Sequence, residues 1–193
     1  LTVLKEKELD IEIIRSKRKS IAIQLKEADK IVVRAPLRMS NKEIMAFVES
    51  KMAWIISNSF KLQKKQERIK DITPVSEAEL DELYKLAGSI IPKRVNYYAK
   101  IVGVNYGRIT IRKQKSRWGS CSAKGNLNFN VALMKAPERV LDYVIVHELC
   151  HRIEMNHSPG FWSEVKRVMP DYEEQEKWLK VHGDEIMAGV GSI

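Results

Sequence analysis

The chain has 193 residues, 44% of them hydrophobic and 31% charged, with a formal net charge of +9 and two cysteines. That length suggests one domain, or one domain with a small appendage, with apolar content enough for a core of its own. Cys121 and Cys150 are too few and wrongly spaced for a disulfide framework. No apolar run approaches the roughly 20 residues of a membrane span, and the charged first residues lack a signal-peptide core. The expectation is a reduced, cytoplasmic setting.

The first elements in chain order are three short segments rich in β-branched residues, at 9–16, 20–26 and 30–36. Their short polar connections predict an antiparallel β-meander. "SNKE" at 40–43 matches a capping box, and Ile44, Phe47, Val48, Lys51 and Ile55 follow at helical spacing, so a helix is predicted over 41–64. "ERIKDITPV" then reads as a linker closed by Pro74.

A second capping box, "SEAE" at 76–79, opens a helix toward Gly103, with Pro92 expected to kink or split it. The alternating segments 108–113 and 126–134 are predicted strands, and the loop between them carries "SRWGSCSAKG". Strand 126–134 could be the sheet edge on which an extended peptide pairs, or an ordinary core strand. A helix beginning near Pro137, taken as its N1 residue, carries "VLDYVIVHELCHRIEM". The tail, with Phe161, Trp162, Val165, Val168, Met169, Trp178 and Leu179, reads as core-facing helix. The division expected is 1–74 (meander plus helix) and 75–193 (catalytic region), or one continuous domain.

Three of the four histidines fall within "HELCHRIEMNH", residues 147–157. Residues four apart on a helix lie nearly in line, so His147 and His151 can share one ion, with Glu148 offset to the same side as a general base. A catalytic zinc takes three protein ligands and keeps an open position. His157 is favoured as the third, with the chain turning back after Met155 through a left-handed Asn156 and Pro159 delaying any new helix. Glu164, Glu173 and Glu174 are its rivals. A buried helix carrying these polar groups without a metal would be costly, because "LDYVIV" just upstream is strongly apolar. Cys150 lies off the ligand face and reads as a small buried hydrophobe. Arg117, Tyr143 and Tyr172 are possible oxyanion donors. Trp118, with Gly119, is read as shaping the wall near the site, or else as a core tryptophan.

The basic residues form three clusters: Arg15 to Lys19, Lys61 to Lys70, and Arg108 to Arg117. They imply either a solvated cationic surface or an anionic partner such as nucleic acid. The third cluster lies just upstream of the histidines, which singles out Arg112, Lys115 and Arg117 as substrate-binding candidates.

"RWGSCS", "YVIVHELCH" and "NHSPGFW", in that order, resemble the YgjP-like family of predicted metal-dependent hydrolases, related to the SprT-like and WLM metallopeptidases. The N-terminal "RSKRKSIAIQL" and "KIVVRAP" extend the resemblance over almost the whole chain. It implies an α+β, zincin-like fold, one zinc ion on His147, His151 and His157, Glu148 as base, and the "RWGSCS" signature near the metal. For activity it implies a metallopeptidase or, as some members are assigned, a UTP pyrophosphatase. The related SprT-like proteases act on proteins bound to DNA. A basic nucleic-acid-binding protein with a structural metal site is the third reading of the residues.

Overall fold

The structure, a computed structural model, describes residues 9–191. It is a mixed α+β chain, as expected, and it divides into a unit ending at Asp71 and a unit beginning at Ile72.

The first unit contains strands β1 (Asp10–Ser16), β2 (Ala22–Leu25) and β3 (Lys30–Pro36), then helices α1 (Asn41–Ser50) and α2 (Met52–Ile69). The strands do not form the expected meander. Their order is β1-β3-β2, with β1 parallel to β3 and β2 antiparallel to it. β3 is the most buried of the three strands, with Ile31, Val32, Val33 and Ala35 buried on it. The central position lets that strand bury both faces while its neighbours satisfy both of its edges. The Arg15 guanidinium donates to the Met39 carbonyl and to Asn41 Oδ1, fastening β1 to the start of α1.

The capping box at Ser40 and Glu43 is present, with both reciprocal bonds made. The predicted single helix is broken at Lys51 and runs on to Ile69. Ser50 Oγ donates to the Phe47 carbonyl at 2.7 Å, a local bond that competes with the helical ladder. Ile44, Val48 and Ile55 close the core against β3.

The second unit begins with α3 (Glu77–Val102), capped by Ser76 and Glu79 and ended by Gly103 in the left-handed conformation. Pro92 does not split this helix. It lies on the exposed face, as does Gly88, whose carbonyl loses its i+4 donor toward solvent. The boundary between the two units falls inside the stretch 67–75 expected to be linker; its first residues still belong to α2, and beyond the boundary the Val75 amide donates to the Gly189 carbonyl.

A second sheet follows from β4 (Ile109–Arg112), β5 (Gly119–Cys121) and β6 (Leu127–Asn130), in the order β4-β6-β5. β5 falls inside the stretch read as loop. The predicted strand 126–134 is half strand and half 3-10 helix (Val131–Lys135), and β6 is the central strand, so it cannot be the free edge. α4 (Glu138–Cys150), α5 (Pro159–Val168) and α6 (Tyr172–Gly189) complete the unit. Pro137 is the N-cap of α4 rather than its first residue.

α4 is the axis of this core. Val140, Leu141, Val144, Ile145, Val146 and Leu149 are buried among residues of α3, β6, α5 and the 3-10 helix. Its polar tie to α3 is Asp142, which accepts from Arg94 Nη1 at 2.8 and 2.9 Å and from the Tyr98 hydroxyl at 2.9 Å. Arg94 also pairs with Glu138. Burial and the facing carboxylate push the Tyr98 phenol up to about 12, so it remains a donor. Asp142→Ala should therefore cost about 2–3 kcal/mol of stability, because it strands a buried hydroxyl and half of a cation's partners. Denaturant unfolding measures it, and a loss below about 0.5 kcal/mol would contradict this role.

Candidate functional site

The sequence places His147 in the last turn of α4, and His151 is the C-cap of that helix. The helix thus ends at Cys150, five residues before Met155, the expected end. No described residue other than glycine has a positive φ, so Asn156 is not left-handed. The turn-back is made differently. Arg152 and Ile153 amides donate to the Leu149 and Cys150 carbonyls in tight turns. Ser158 then caps α5 by accepting from the Phe161 amide, while its hydroxyl donates to Glu154 Oε2 at 3.1 Å. Pro159 starts α5 instead of delaying it, in the first-turn position where a missing N–H costs nothing.

This compact turn returns His157 to the end of α4. One ring nitrogen from each of His147, His151 and His157 lies within 4.8 Å of the others. His147 Nε2 and His157 Nε2 are 3.0 Å apart. Glu164, Glu173 and Glu174 do not join this group. His151 Nδ1 is 3.0 Å from the Glu154 carbonyl, which fixes Nδ1 as the protonated nitrogen and leaves Nε2 with its lone pair free. Burial and the two neighbouring imidazoles push His147 down to about 3, so its ring is neutral at ordinary pH. Three imidazole nitrogens that converge in this way, two of them 3.0 Å apart, are a donor set suited to a borderline-soft cation, and these residues fit zinc.

Phe161, fully buried, packs its ring against all three imidazoles, with centroids 4.8, 4.5 and 4.8 Å away. Trp162 stacks on His157 and on Tyr172. These rings hold the histidine planes. The sequence marks Phe161 only as a core residue, since helical spacing reveals burial but not what a ring is pressed against.

A cavity of about 340 Å³ opens beside the histidines, lined by Arg117, Trp118, Gly119, Tyr143, Val144, His147, Glu148, Glu176, Leu179 and Lys180. Arg117 and Trp118 are thus brought to the site, but Arg112 and Lys115 are not among its lining residues. They lie on exposed stretches at the end of β4 and beyond it. Of the three oxyanion donors, Arg117 and Tyr143 face the cavity and Tyr172 does not. Burial raises the Tyr143 phenol, which keeps it protonated.

Glu148 is 6% exposed, and burial pushes its carboxyl up to about 8, against the opposing pull of the Arg117 charge. A cation among the imidazoles would draw that value back down. Cys150 is fully buried and its thiol is pushed up to about 12, so it is an inert packing residue.

Three features that position the site were not read from the sequence. The first is β5 as a strand, which presses Gly119, the expected wall residue, against Glu148: a Cβ there would sit 2.7 Å from Glu148 Cγ and Oε1. The second is Gly183 on α6, where a Cβ would meet Trp118 Cζ2 at 2.9 Å. The third is Asn130, fully buried, whose Nδ2 donates to the Gln114 and Arg117 carbonyls while Oδ1 accepts from the Ala132 amide. One carboxamide thereby fixes the loop that carries Arg117 and Trp118. "WGS" and "NFN" were the available signals, but a glycine or asparagine in a strand-like stretch does not disclose its distant partner.

Gly119→Ala should leave metal content unchanged and lower turnover about 100-fold, the scale of a 1 Å misplacement of a reacting group. Steady-state kinetics on metal-loaded protein measures this, and wild-type turnover would show that the carboxylate tolerates displacement.

Comparison with known proteins matches the family model described as "YgjP-like, metallopeptidase domain" over residues 19–81 and 73–182. Similar solved structures include the metallopeptidase zymogen of Pyrococcus abyssi abylysin, 26% identical, covering 48% of this chain and 93% of that one, with a TM-score of 0.45. Another is the metallopeptidase zymogen of Methanocaldococcus jannaschii jannalysin, 28% identical, covering 48% and 94%, with a TM-score of 0.42. No curated protein matches the chain.

Proposed function

Because the chain belongs to the YgjP-like, metallopeptidase-domain family, we propose that it is a zinc-dependent peptidase with His147, His151 and His157 as metal ligands and Glu148 as general base. The observation that carries this reading is the convergence of three imidazole nitrogens, one of them on His147, which lines the same cavity as the buried Glu148 carboxylate.

When bound, zinc supplies Lewis acidity that activates water and polarises a carbonyl. The protein's own groups do the rest. Glu148 accepts a proton from the attacking water and delivers it to the departing amine as the C–N bond breaks. Arg117 and Tyr143 offer donors to the carbonyl oxygen as charge develops on it. The apolar walls formed by Trp118, Val144 and Leu179 limit water around the base. β5, the outer strand beside α4, offers an edge on which an extended substrate can pair.

A second reading, hydrolysis of a nucleoside triphosphate, draws on the compact cavity and on Arg117 and Lys180 at its wall. It is the weaker one, because Lys180 is already paired with Glu176 at 2.8 Å and the rest of the 108–117 cluster lies outside the lining. Zinc-loaded protein assayed on an unfolded protein and on UTP decides between them: new amino termini from the first support the peptidase, and pyrophosphate release with an intact protein substrate overturns it. No helix among the described residues is long and apolar enough to cross a membrane.

A further inference from the structure

The net positive charge is unevenly divided. Residues 1–71 hold 17 of the 34 lysines and arginines but only 10 of the 25 acidic residues, a net of +7. Residues 72–193 hold 17 and 15, a net of +2. The basic cluster nearest the histidines is therefore balanced within its own unit, and the excess belongs to the N-terminal one.

Within that unit the charge meets exposed aromatic rings on α2. Trp54, Ser57, Lys61 and Lys64 follow at steps of three and four, so they share one helix face, and Phe60 lies on its flank. Trp54 is 48% and Phe60 51% exposed, while Ile55 and Ser59 on the opposite side are buried. Lys64 Nζ lies 5.0 Å from the centre of the Phe60 ring. The rings therefore face away from the unit's own core, among cations. From Trp54 to Lys64 the face runs roughly 15 Å, about four stacked bases at 3.4 Å per step.

We infer that the outer face of α2, through Trp54, Phe60, Lys61 and Lys64, binds single-stranded nucleic acid. Flat rings interleaved with cations match a strand whose bases are free to stack and whose phosphates repeat alongside. A duplex hides its base faces and would use the lysines alone. A membrane-surface helix needs a continuous apolar face for lipid, but the apolar side of α2 is used by its own core through Ile55. This inference is independent of the peptidase reading, since none of its residues belongs to the catalytic unit.

The test uses the full chain and a short fluorescein-labelled oligothymidylate, with binding followed by anisotropy at several salt concentrations. Tight binding that quenches tryptophan fluorescence is expected. Trp54→Ala and Phe60→Ala should each weaken it about tenfold, the scale of one stacked base. Lys61→Ala with Lys64→Ala should flatten the plot of log K against log salt by about 0.7 for each phosphate left without its lysine. Circular dichroism and thermal melting establish that the variants fold, and Trp54→Phe, which keeps a stacking ring, should restore most of the affinity. The inference is overturned by any of four results. These are no binding at low salt, lysine variants that weaken binding while both ring variants do not, equal affinity for duplex of the same sequence, or tighter binding to phosphatidylserine vesicles than to the oligonucleotide.

Discussion

Glu148→Gln is expected to keep the fold and the metal and to lose turnover by at least about 100-fold, the usual contribution of a general base. Glutamine preserves the shape of a side chain that is 6% exposed and pressed against Gly119, so packing is undisturbed. It cannot accept the proton of the attacking water. Burial already holds the native carboxyl up near 8, so the neutral amide is not a foreign charge state for the pocket. The measurement is turnover of an unfolded protein by variant and parent, each with its zinc content determined. Unchanged turnover at equal zinc would remove Glu148 from the mechanism.

The second large effect concerns His157. His157→Ala should weaken zinc binding by more than about 100-fold, since losing even an outer partner of a ligand costs 10- to 100-fold. The parent, stripped by chelator and reloaded, should hold about one ion per chain. A ligand that binds only the folded chain stabilises it by about 2.7 kcal/mol at 100 times its Kd. Added zinc should therefore raise the parent's melting temperature and leave that of the variant nearly unmoved. Because His157 is exposed and lies in the turn between α4 and α5, its removal opens no core cavity, so the apo proteins should melt alike. Zinc bound as tightly by the variant would transfer the third position to another group. Glu154 would then be the first to examine, because its side chain is already fastened to Ser158 in that turn.

Some of the molecule was written in short-range order. The capping boxes at Ser40–Glu43 and Ser76–Glu79 were legible because both partners lie within one turn. The His147–His151 pair was legible for the same reason, since helical pitch alone brings residues four apart together. The burial of α4 followed from its strongly apolar stretch, interrupted only by Asp142.

Other features depended on partners that no local pattern names. β1 chose β3 over its sequence neighbour β2, because pairing is decided by which strand best fills the centre of the sheet. The three residues of β5 carry no alternation to detect, and they are a strand only because β6 supplies their hydrogen bonds. Asn156 was the natural residue for a left-handed turn, but Ser158 and Glu154 closed the turn by side-chain bonds instead. The basic stretch 108–117 looked uniform in sequence. Asn130, thirteen residues beyond Arg117, grips the loop at the Gln114 and Arg117 carbonyls, and Arg117 lines the cavity while Arg112 and Lys115 stay outside it. The sequence by itself thus determined which residues could be ligand and base, because that chemistry rests on residue type and helical pitch. Only the tertiary structure decided which loop, strand edge and ring surround them, because those are set by buried contacts between distant segments.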